Sequence, residues 1–257
     1  MWTRKLLKDN AKIAFRRNYW TCVAVSFIAS ILGVAVGGAS FNFNFSTEEA
    51  TTISGANIAF DSIPDYIIYV LGAATLIAAI IGICFSLLVS NVVRIGCNRY
   101  FLENREHKTE VGQLFYGFKN GKYGSNVYTM FKQDLSIFLH MLLFIIPGIV
   151  KAFSYAFVPY ILAENPDLET KRVLKLSSEM MKGHKMELFV LELSFFGWAI
   201  LNTITFGILG IFWVNPYLSA TVAEFYSAVK AESVQNGTVY PGELPGVYYQ
   251  EQTVEVF

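Results

Sequence analysis

The chain has 257 residues, of which 54% are hydrophobic and only 16% are charged, and its mean hydropathy is +0.42. A soluble globular domain carries about a quarter charged residues, so this composition excludes most soluble enzymes. The net charge is zero, yet six of the first seventeen residues are basic, whereas residues 39–65 hold four acids and no Lys or Arg. Such asymmetry is typical of a chain oriented in a membrane and does not indicate a nucleic-acid partner.

The amino terminus is predicted to form an amphipathic helix. Trp2, Leu6 and Ile13 share one helical face, and lysines and arginines fill much of the remaining surface. This pattern indicates an interfacial helix on an anionic inner leaflet.

Four apolar runs follow, at Tyr19–Gly38, Tyr66–Val93, Val127–Ala163 and Leu188–Val229. The last two are longer than the ~20 residues that one crossing requires. Each contains helix breakers, Pro147 with Gly148 in the third run and Gly207 with Gly210 in the fourth. Both runs are therefore predicted to fold back as helical hairpins.

The distribution of Lys and Arg favours six crossings. With spans at 19–38, 66–93, 127–146, 147–163, 188–206 and 208–230, 19 of the 20 basic residues lie on one side, and only Lys151 lies on the other. The prediction is an all-α, multi-pass bundle of six transmembrane helices with amphipathic interfacial helices and cytoplasmic termini. The fourth span is short, so it either crosses fully or is re-entrant.

Two cytoplasmic segments are predicted beside the spans. Val173, Leu176 and Met180 recur at helical spacing between spans four and five, and Gly183 is placed to end that helix. Residues 232–257 are acidic and are interrupted by Pro-Gly pairs, which predicts a loosely ordered tail.

Span two has a small residue at every fourth position, namely Ala74, Ala78, Gly82, Ser86 and Ser90. Lipid supplies little hydrophobic drive between helices, so small residues that permit close approach support helix association. We interpret this stripe as a packing seam within the chain, with homodimerisation as the alternative.

Polar residues inside the spans are candidates for function. Counted at ~1.5 Å per residue, His140, Asn202 and Asn215 come to similar depth and predict an intramembrane polar layer; the alternative is that they only bond neighbouring helices. Glu192 and Glu224 lie nearer the inner surface, where they either pair with basic residues (Lys182, Lys185 or Arg99) or snorkel.

The sequence has no phosphate-binding loop, no His-Glu-x-x-His helix and no nucleophile elbow, and its three cysteines lack metal-site spacing. We therefore predict a protein that is not an enzyme, without catalytic residues, bound metal or cofactor. The expected partners are the lipid bilayer and either another membrane protein or a second copy of the chain.

The second half of the chain carries specific motifs, namely Ile146-Pro147-Gly148-Ile149, Met180-Met181-Lys182-Gly183-His184-Lys185, Gly197-Trp198 and Pro216-Tyr217. They resemble the domain of unknown function 975 family, integral membrane proteins of Gram-positive bacteria, over about residues 1–231. More distantly, the proline-glycine hairpin followed by an amphipathic helix resembles the membrane domain of glycerophosphodiester phosphodiesterases. The resemblance implies a six-helix bundle in the bacterial inner membrane and supplies no catalytic residues.

Two functions fit these observations best, and a third, a lipid-modifying enzyme, would require a water-accessible cluster around Glu192 and Glu224. The first is an accessory or scaffold subunit that acts through partners. The second is a carrier or channel for a lipid or small amphiphile that uses the polar layer.

Overall fold

The computed structural model describes residues 2–34, 65–119 and 121–246. These residues form helices joined by turns, and there is no strand among them, which confirms the all-α prediction for this part of the chain. The acidic stretch at 39–64 lies outside the described residues. The helices are α1 (Arg4–Arg17), α2 (Tyr19–Ile31), α3 (Asp65–Phe85), α4 (Asn91–Asn104), α5 (Tyr116–Lys119), α6 (Tyr123–Leu143), α7 (Ile145–Ser154), α8 (Val158–Glu164), α9 (Thr170–Met180), α10 (Lys185–Leu193), α11 (Phe196–Ile204) and α12 (Asn215–Gln235).

Three helical stretches of the described residues are long and apolar enough to cross a membrane: Gly72–Asn104, Ile145–Glu164 and Lys185–Ile204. They overlap predicted spans two, four and five. The first is continuous because a π-helical turn at Ser86–Ser90 joins α3 to α4. Helix α2, within predicted span one, is apolar but shorter.

Helices α6 and α7 form a tight hairpin, as the sequence predicts, but the turn lies at Phe144. This residue is extended (φ −155°, ψ 141°), and α7 starts directly after it. Pro147 is tolerated in the first turn of α7, where its missing N–H would have no acceptor within the helix. Gly148 permits the close approach, because a Cβ there would lie 2.7 Å from the Cα of Met141.

The second predicted hairpin turns at Phe206 and Gly207, both of which have left-handed backbone conformations (φ 50° and 85°). The side-chain oxygen of Asn202 accepts a hydrogen bond from the Gly210 N–H across this turn. After this turn, a π-helical segment at Gly210–Val214 continues directly into α12, without a break at Asn215-Pro216.

The best-packed part of the molecule is built from α1, α4, α8, α9 and α12. Four aromatic rings meet at its centre. The Phe157 ring lies edge-on to Tyr226 with centroids 5.0 Å apart, and Tyr226 stacks on Tyr160 at 4.9 Å. Phe225 packs beside Phe157 at 5.8 Å. These contacts fasten α8 to α12.

Helix α1 packs on α12 through a face other than the apolar face that is predicted to lie on the bilayer. Its buried residues are Leu7, Ala11, Ala14 and Phe15. Of the predicted apolar face, Leu6 and Ile13 are exposed, whereas Trp2 packs edge-on against Phe225. The sequence reveals a second apolar stripe on α1 only once its partner helix is known.

Helix α9 has the predicted buried face of Val173, Leu176 and Met180, and Gly183 follows it with a left-handed φ of 87°. The tail differs from the prediction as far as Gly246. Val239 and Leu244 are almost fully buried, so residues 238–246 pack against the rest of the protein and are not loosely ordered.

Helix α3 has the opposite character. All of its described side chains are exposed, including Ala74, Ala78 and Gly82 of the predicted seam. Within the described residues, a Cβ added at Gly82 would meet no atom within 4 Å. Ser90 alone in the stripe is buried, and its hydroxyl donates to the Leu32 carbonyl. No described helix covers the four outer residues of the stripe, Ala74, Ala78, Gly82 and Ser86, and the packing seam stays a prediction.

Candidate buried polar site

Helix α6 is arranged with its polar side inward. Asn126, Thr129 and Gln133 are fully buried, together with Met130. The outward side chains of the same helix are mostly aromatic or aliphatic, and His140 is the polar exception in its apolar half. They include Tyr128, Phe131, Leu135, Phe138, Leu139 and Leu142. Water-soluble helices show the reverse pattern, whereas a helix in lipid exposes its apolar side and directs its polar residues to the protein interior.

A charged cluster lies where α6 meets α4. The Asn91 amide donates to Oδ2 of Asp134 at 2.7 Å, which joins the two helices. Arg94 follows Asn91 by three residues, so it lies on the same side of α4. Its side chain is 6% exposed.

Arg94 is surrounded by groups that interact with its charge. The carboxylates of Asp134 and of Glu192 in α10 attract this charge, Asp134 more strongly. A guanidinium carries five N–H donors and a permanent charge, so this burial is unusual.

Gln133 adds a second unusual group one position before Asp134. Its side chain is 1% exposed, and its Oε1 accepts no hydrogen bond from any residue that the structure describes. Buried polar atoms are nearly always bonded. Gln133 and Asp134, two neighbouring residues of α6, thus both direct polar groups into the protein interior.

The three residues of the predicted polar layer lie at separate places, and the contacts described for His140 and Asn202 are with residues close by in the sequence. His140 is exposed, and its Nδ1 lies 2.7 Å from the Ser136 carbonyl of its own helix. Asn202 spans the second hairpin turn, and Asn215 is the first residue of α12. No hydrogen bond of the described residues joins any of the three to another, and the layer stays a prediction.

The two predicted inner acids have partners that the sequence did not identify. Glu224 is buried and pairs with Arg105 through two hydrogen bonds, at 2.9 and 3.2 Å. Arg99, one of the predicted partners, instead pairs with Glu103. Glu192 contributes to the electrostatic surroundings of Arg94.

The packed tail is held by ion pairs. Arg172 of α9 bonds both carboxylate oxygens of Glu243, at 2.5 and 2.8 Å, and a third bond from Arg172 reaches the Thr238 carbonyl. Partial burial raises the pKa of Glu243, but the bonds from Arg172 and from the Tyr240 N–H outweigh it and hold the pKa below its ordinary value. The same hydrogen bond raises the pKa of Arg172. Lys230 fastens the end of the segment through the Pro245 carbonyl.

Sequence reasoning missed the cluster because it assigned Arg94 to the cytoplasmic loop cations. A signal was present, since Asp134 interrupts the third apolar run and Asn91 and Arg94 are three residues apart at the end of the second. No group of three or more His, Cys, Asp or Glu residues that could hold a metal occurs in the described ranges.

A scan against family models matches residues 17–233 to the family described as "Protein of unknown function (DUF975)". Neither the curated proteins nor the solved structures include a significant match. The resemblance to the membrane domain of glycerophosphodiester phosphodiesterases stays a prediction. Because the matched region covers most of the sequence, the chain belongs to the DUF975 family of proteins of unknown function.

Proposed function

We propose that this protein is a six-span membrane protein of the bacterial cytoplasmic membrane that acts, without catalysis of its own, as an accessory or scaffold subunit. The membrane location is supported by the three long apolar helices and by the inverted polarity of α6. The six spans with both termini inside are supported by the two hairpins and by the distribution of Lys and Arg.

The exposed helix α3 carries the scaffold proposal. Its described side chains contact little of the described chain, and it offers small residues at every fourth position on one side. In lipid, such a face allows another helix to approach closely. The bound helix belongs either to another membrane protein or to a second copy of the chain.

Photocrosslinking from the two sides of α3 tests this proposal. A photoreactive residue at Ala78 lies in the small-residue stripe, and one at Ile80 lies on the opposite side of the helix. We expect a discrete protein adduct from Ala78 and none from Ile80 in native membranes. An adduct of twice the chain mass would identify a homodimer. Equal labelling from both positions, or no adduct from Ala78, would contradict the scaffold proposal.

The buried charged cluster favours a second candidate, a carrier for a lipid or small amphiphile. Charged groups among apolar helices are costly and commonly mark a substrate path. A carrier predicts flux of a labelled lipid in liposomes that hold this protein alone, lost in Asp134→Asn. A carrier that uses the predicted polar layer would instead lose this lipid flux when His140 or Asn202 is substituted.

A further inference from the structure

Helix α1 has an outer surface that combines cations with exposed apolar side chains. The cations Lys5, Lys12 and Arg16 are exposed, and so are the apolar residues Leu6 and Ile13. Positions 5, 12 and 16 are separated by seven and eleven residues, close to whole numbers of helical turns, so the three cations form one row along the helix. Leu6 and Ile13 form a second row beside it, for the same reason.

The cations of this surface carry charge that the described chain does not neutralise. None of Lys5, Lys12 and Arg16 takes part in an ion pair within the described ranges. Helix α1 has six basic residues and a single acid, Asp9. Cations that lie in one row repel each other, so a partner that carries several negative charges is favoured along this side of the helix.

The other contacts of α1 fix where this surface lies. The side chain of Asn104, at the end of α4, donates to the Ala14 carbonyl. Arg17 donates to the carbonyls of Asn104 and Glu106. These residues lead into the loop after span two, which lies on the cytoplasmic side in the proposed topology. The outer surface of α1 is therefore held at the inner side of the membrane.

The apolar row decides between two kinds of partner. An acidic protein or a nucleic acid would be bound by the cations alone and would leave Leu6 and Ile13 in water. A phospholipid leaflet offers anionic headgroups above acyl chains, so it binds the cations and the apolar side chains together. Trp20, at the start of α2, is 73% exposed, and tryptophan is enriched at the boundary between membrane and water.

We propose that the outer surface of α1 docks on the anionic phospholipids of the cytoplasmic leaflet. Lys5, Lys12 and Arg16 lie on the headgroup phosphates, and Leu6 and Ile13 lie at the boundary with the acyl chains. Because the opposite side of α1 is buried against α12, lipid and protein hold the helix from two sides. This proposal rests on the membrane location proposed above, but it requires no partner protein.

Accessibility of a spin label tests the proposal on the full-length protein. The label is attached at Ile13→Cys in a chain without its native cysteines, and the protein is placed in phosphatidylcholine nanodiscs with or without phosphatidylglycerol. Collisions with a water-soluble nickel chelate are measured. With phosphatidylglycerol, we expect the Ile13 label to be as protected as a label at the exposed Ile80 of α3, and without it as accessible as one at the exposed Lys175 of α9.

The three labels separate the possible failures. An accessible label at Ile80 would overturn the proposed membrane location and this proposal with it. Protection at Ile80 together with full accessibility at Ile13 in phosphatidylglycerol would overturn the docking of α1 alone. Protection of Ile13 in pure phosphatidylcholine would also overturn it, because the anionic lipid would then not be the group that covers this surface.

Charge variants test the role of the cations in the same nanodiscs. The test variant combines Lys5→Gln, Lys12→Gln and Arg16→Gln, and it should make the Ile13 label accessible in phosphatidylglycerol while the Ile80 label stays protected. The matched control removes the same number of exposed cations elsewhere, with Lys171→Gln, Lys175→Gln and Lys182→Gln. It should leave the Ile13 label protected. High salt should release the wild-type helix, because it screens exposed charges. Protection that persists in the test variant would overturn the proposal.

Discussion

Several charged residues of this protein are paired with partners far away in the sequence. Arg105 holds Glu224, Arg172 holds Glu243, and Lys230 bonds both oxygens of Glu164 at 2.8 Å. Such pairs add little to stability when intact, but removing one partner leaves a buried charge uncompensated. They therefore fix which helices meet.

Removing Arg105 should destabilise the protein. Arg105→Ala leaves the buried Glu224 carboxylate without its two hydrogen bonds, and because Arg105 is itself partly exposed, we expect a loss of about 2 kcal/mol, below the cost of breaking a fully buried pair. Thermal unfolding in mild detergent measures this. Lys175→Ala is the control, because Lys175 is exposed and pairs with Glu179 at the surface, and it should change stability by less than about 1 kcal/mol. Equal midpoints of thermal unfolding for the two variants would contradict a structural role of the Arg105–Glu224 pair.

The attachment of the tail should weaken in acid. The pKa of Glu243 is depressed in the folded state, so its contribution to stability is full above the ordinary value of 4.5 and is lost as the pH falls through the lower, folded value. Hydrogen-exchange protection factors of residues 238–246 should fall below that pH, whereas those of α12 should not. Glu243→Gln should show the weakened tail already at neutral pH. Two results together would refute the role of this ion pair. The wild-type protection of residues 238–246 would not change with pH, and Glu243→Gln would be as protected as the wild type.

At this scale the sequence identifies acids and bases but not their pairing. Glu224 is predicted from depth either to pair with a basic residue or to snorkel, yet its partner Arg105 is 119 positions away, and several cations are equally plausible from depth alone. Arg94 and Asp134 were missed because each is an isolated charge beside an apolar run. The packing of α4 on α6, which the Asn91–Asp134 hydrogen bond joins, brings the two helices that carry them together.

At the scale of elements, the hairpin of α6 and α7 depends on one close approach. A Cβ at position 148 would lie within 3 Å of backbone and side-chain atoms of Met141. The helix backbone cannot yield there without separating the two helices. Glycine at 148 is thus required by packing and not by its backbone conformation.

Gly148→Ala should therefore destabilise the hairpin, by about 2 kcal/mol as for other overpacked sites. Gly197→Ala is the matched control, since position 197 is also helical and a Cβ there meets no atom within 4 Å. Alanine has a higher helix propensity than glycine, so Gly197→Ala should leave the free energy of unfolding unchanged or raise it by up to ~1 kcal/mol. Thermal unfolding of the two variants in the same detergent compares them, and a Gly148→Ala variant as stable as Gly197→Ala would contradict the packing argument.

Periodicity and breakers predicted the elements well where the signal is local. The buried face of α9 follows from the spacing of its apolar residues. The two hairpins follow from the positions of Pro and Gly. The buried face of α1 and the packed tail could not be predicted, because both depend on contacts with α12 or α9 that no local pattern encodes.

At the scale of the whole molecule, charge and apolar exposure are segregated. The tips of both hairpins are apolar and exposed, and Phe206 is 94% exposed. The basic residues of α1, α4 and α9 belong to the packed helices instead. This segregation is the arrangement expected of hairpins inserted in lipid above a body at the inner surface.

The central claim, a six-span topology in which 171–185 faces the cytoplasm, is tested most directly by accessibility of single cysteines. After replacement of Cys22, Cys84 and Cys97, one cysteine is placed at Ser54 and another at the exposed Lys175. A membrane-impermeant maleimide applied to intact cells should label Ser54→Cys, and it should label Lys175→Cys only after the cells are opened. Labelling of Lys175→Cys from outside intact cells would contradict the hairpin of α6 and α7 as a membrane-inserted pair, and with it the six-span topology.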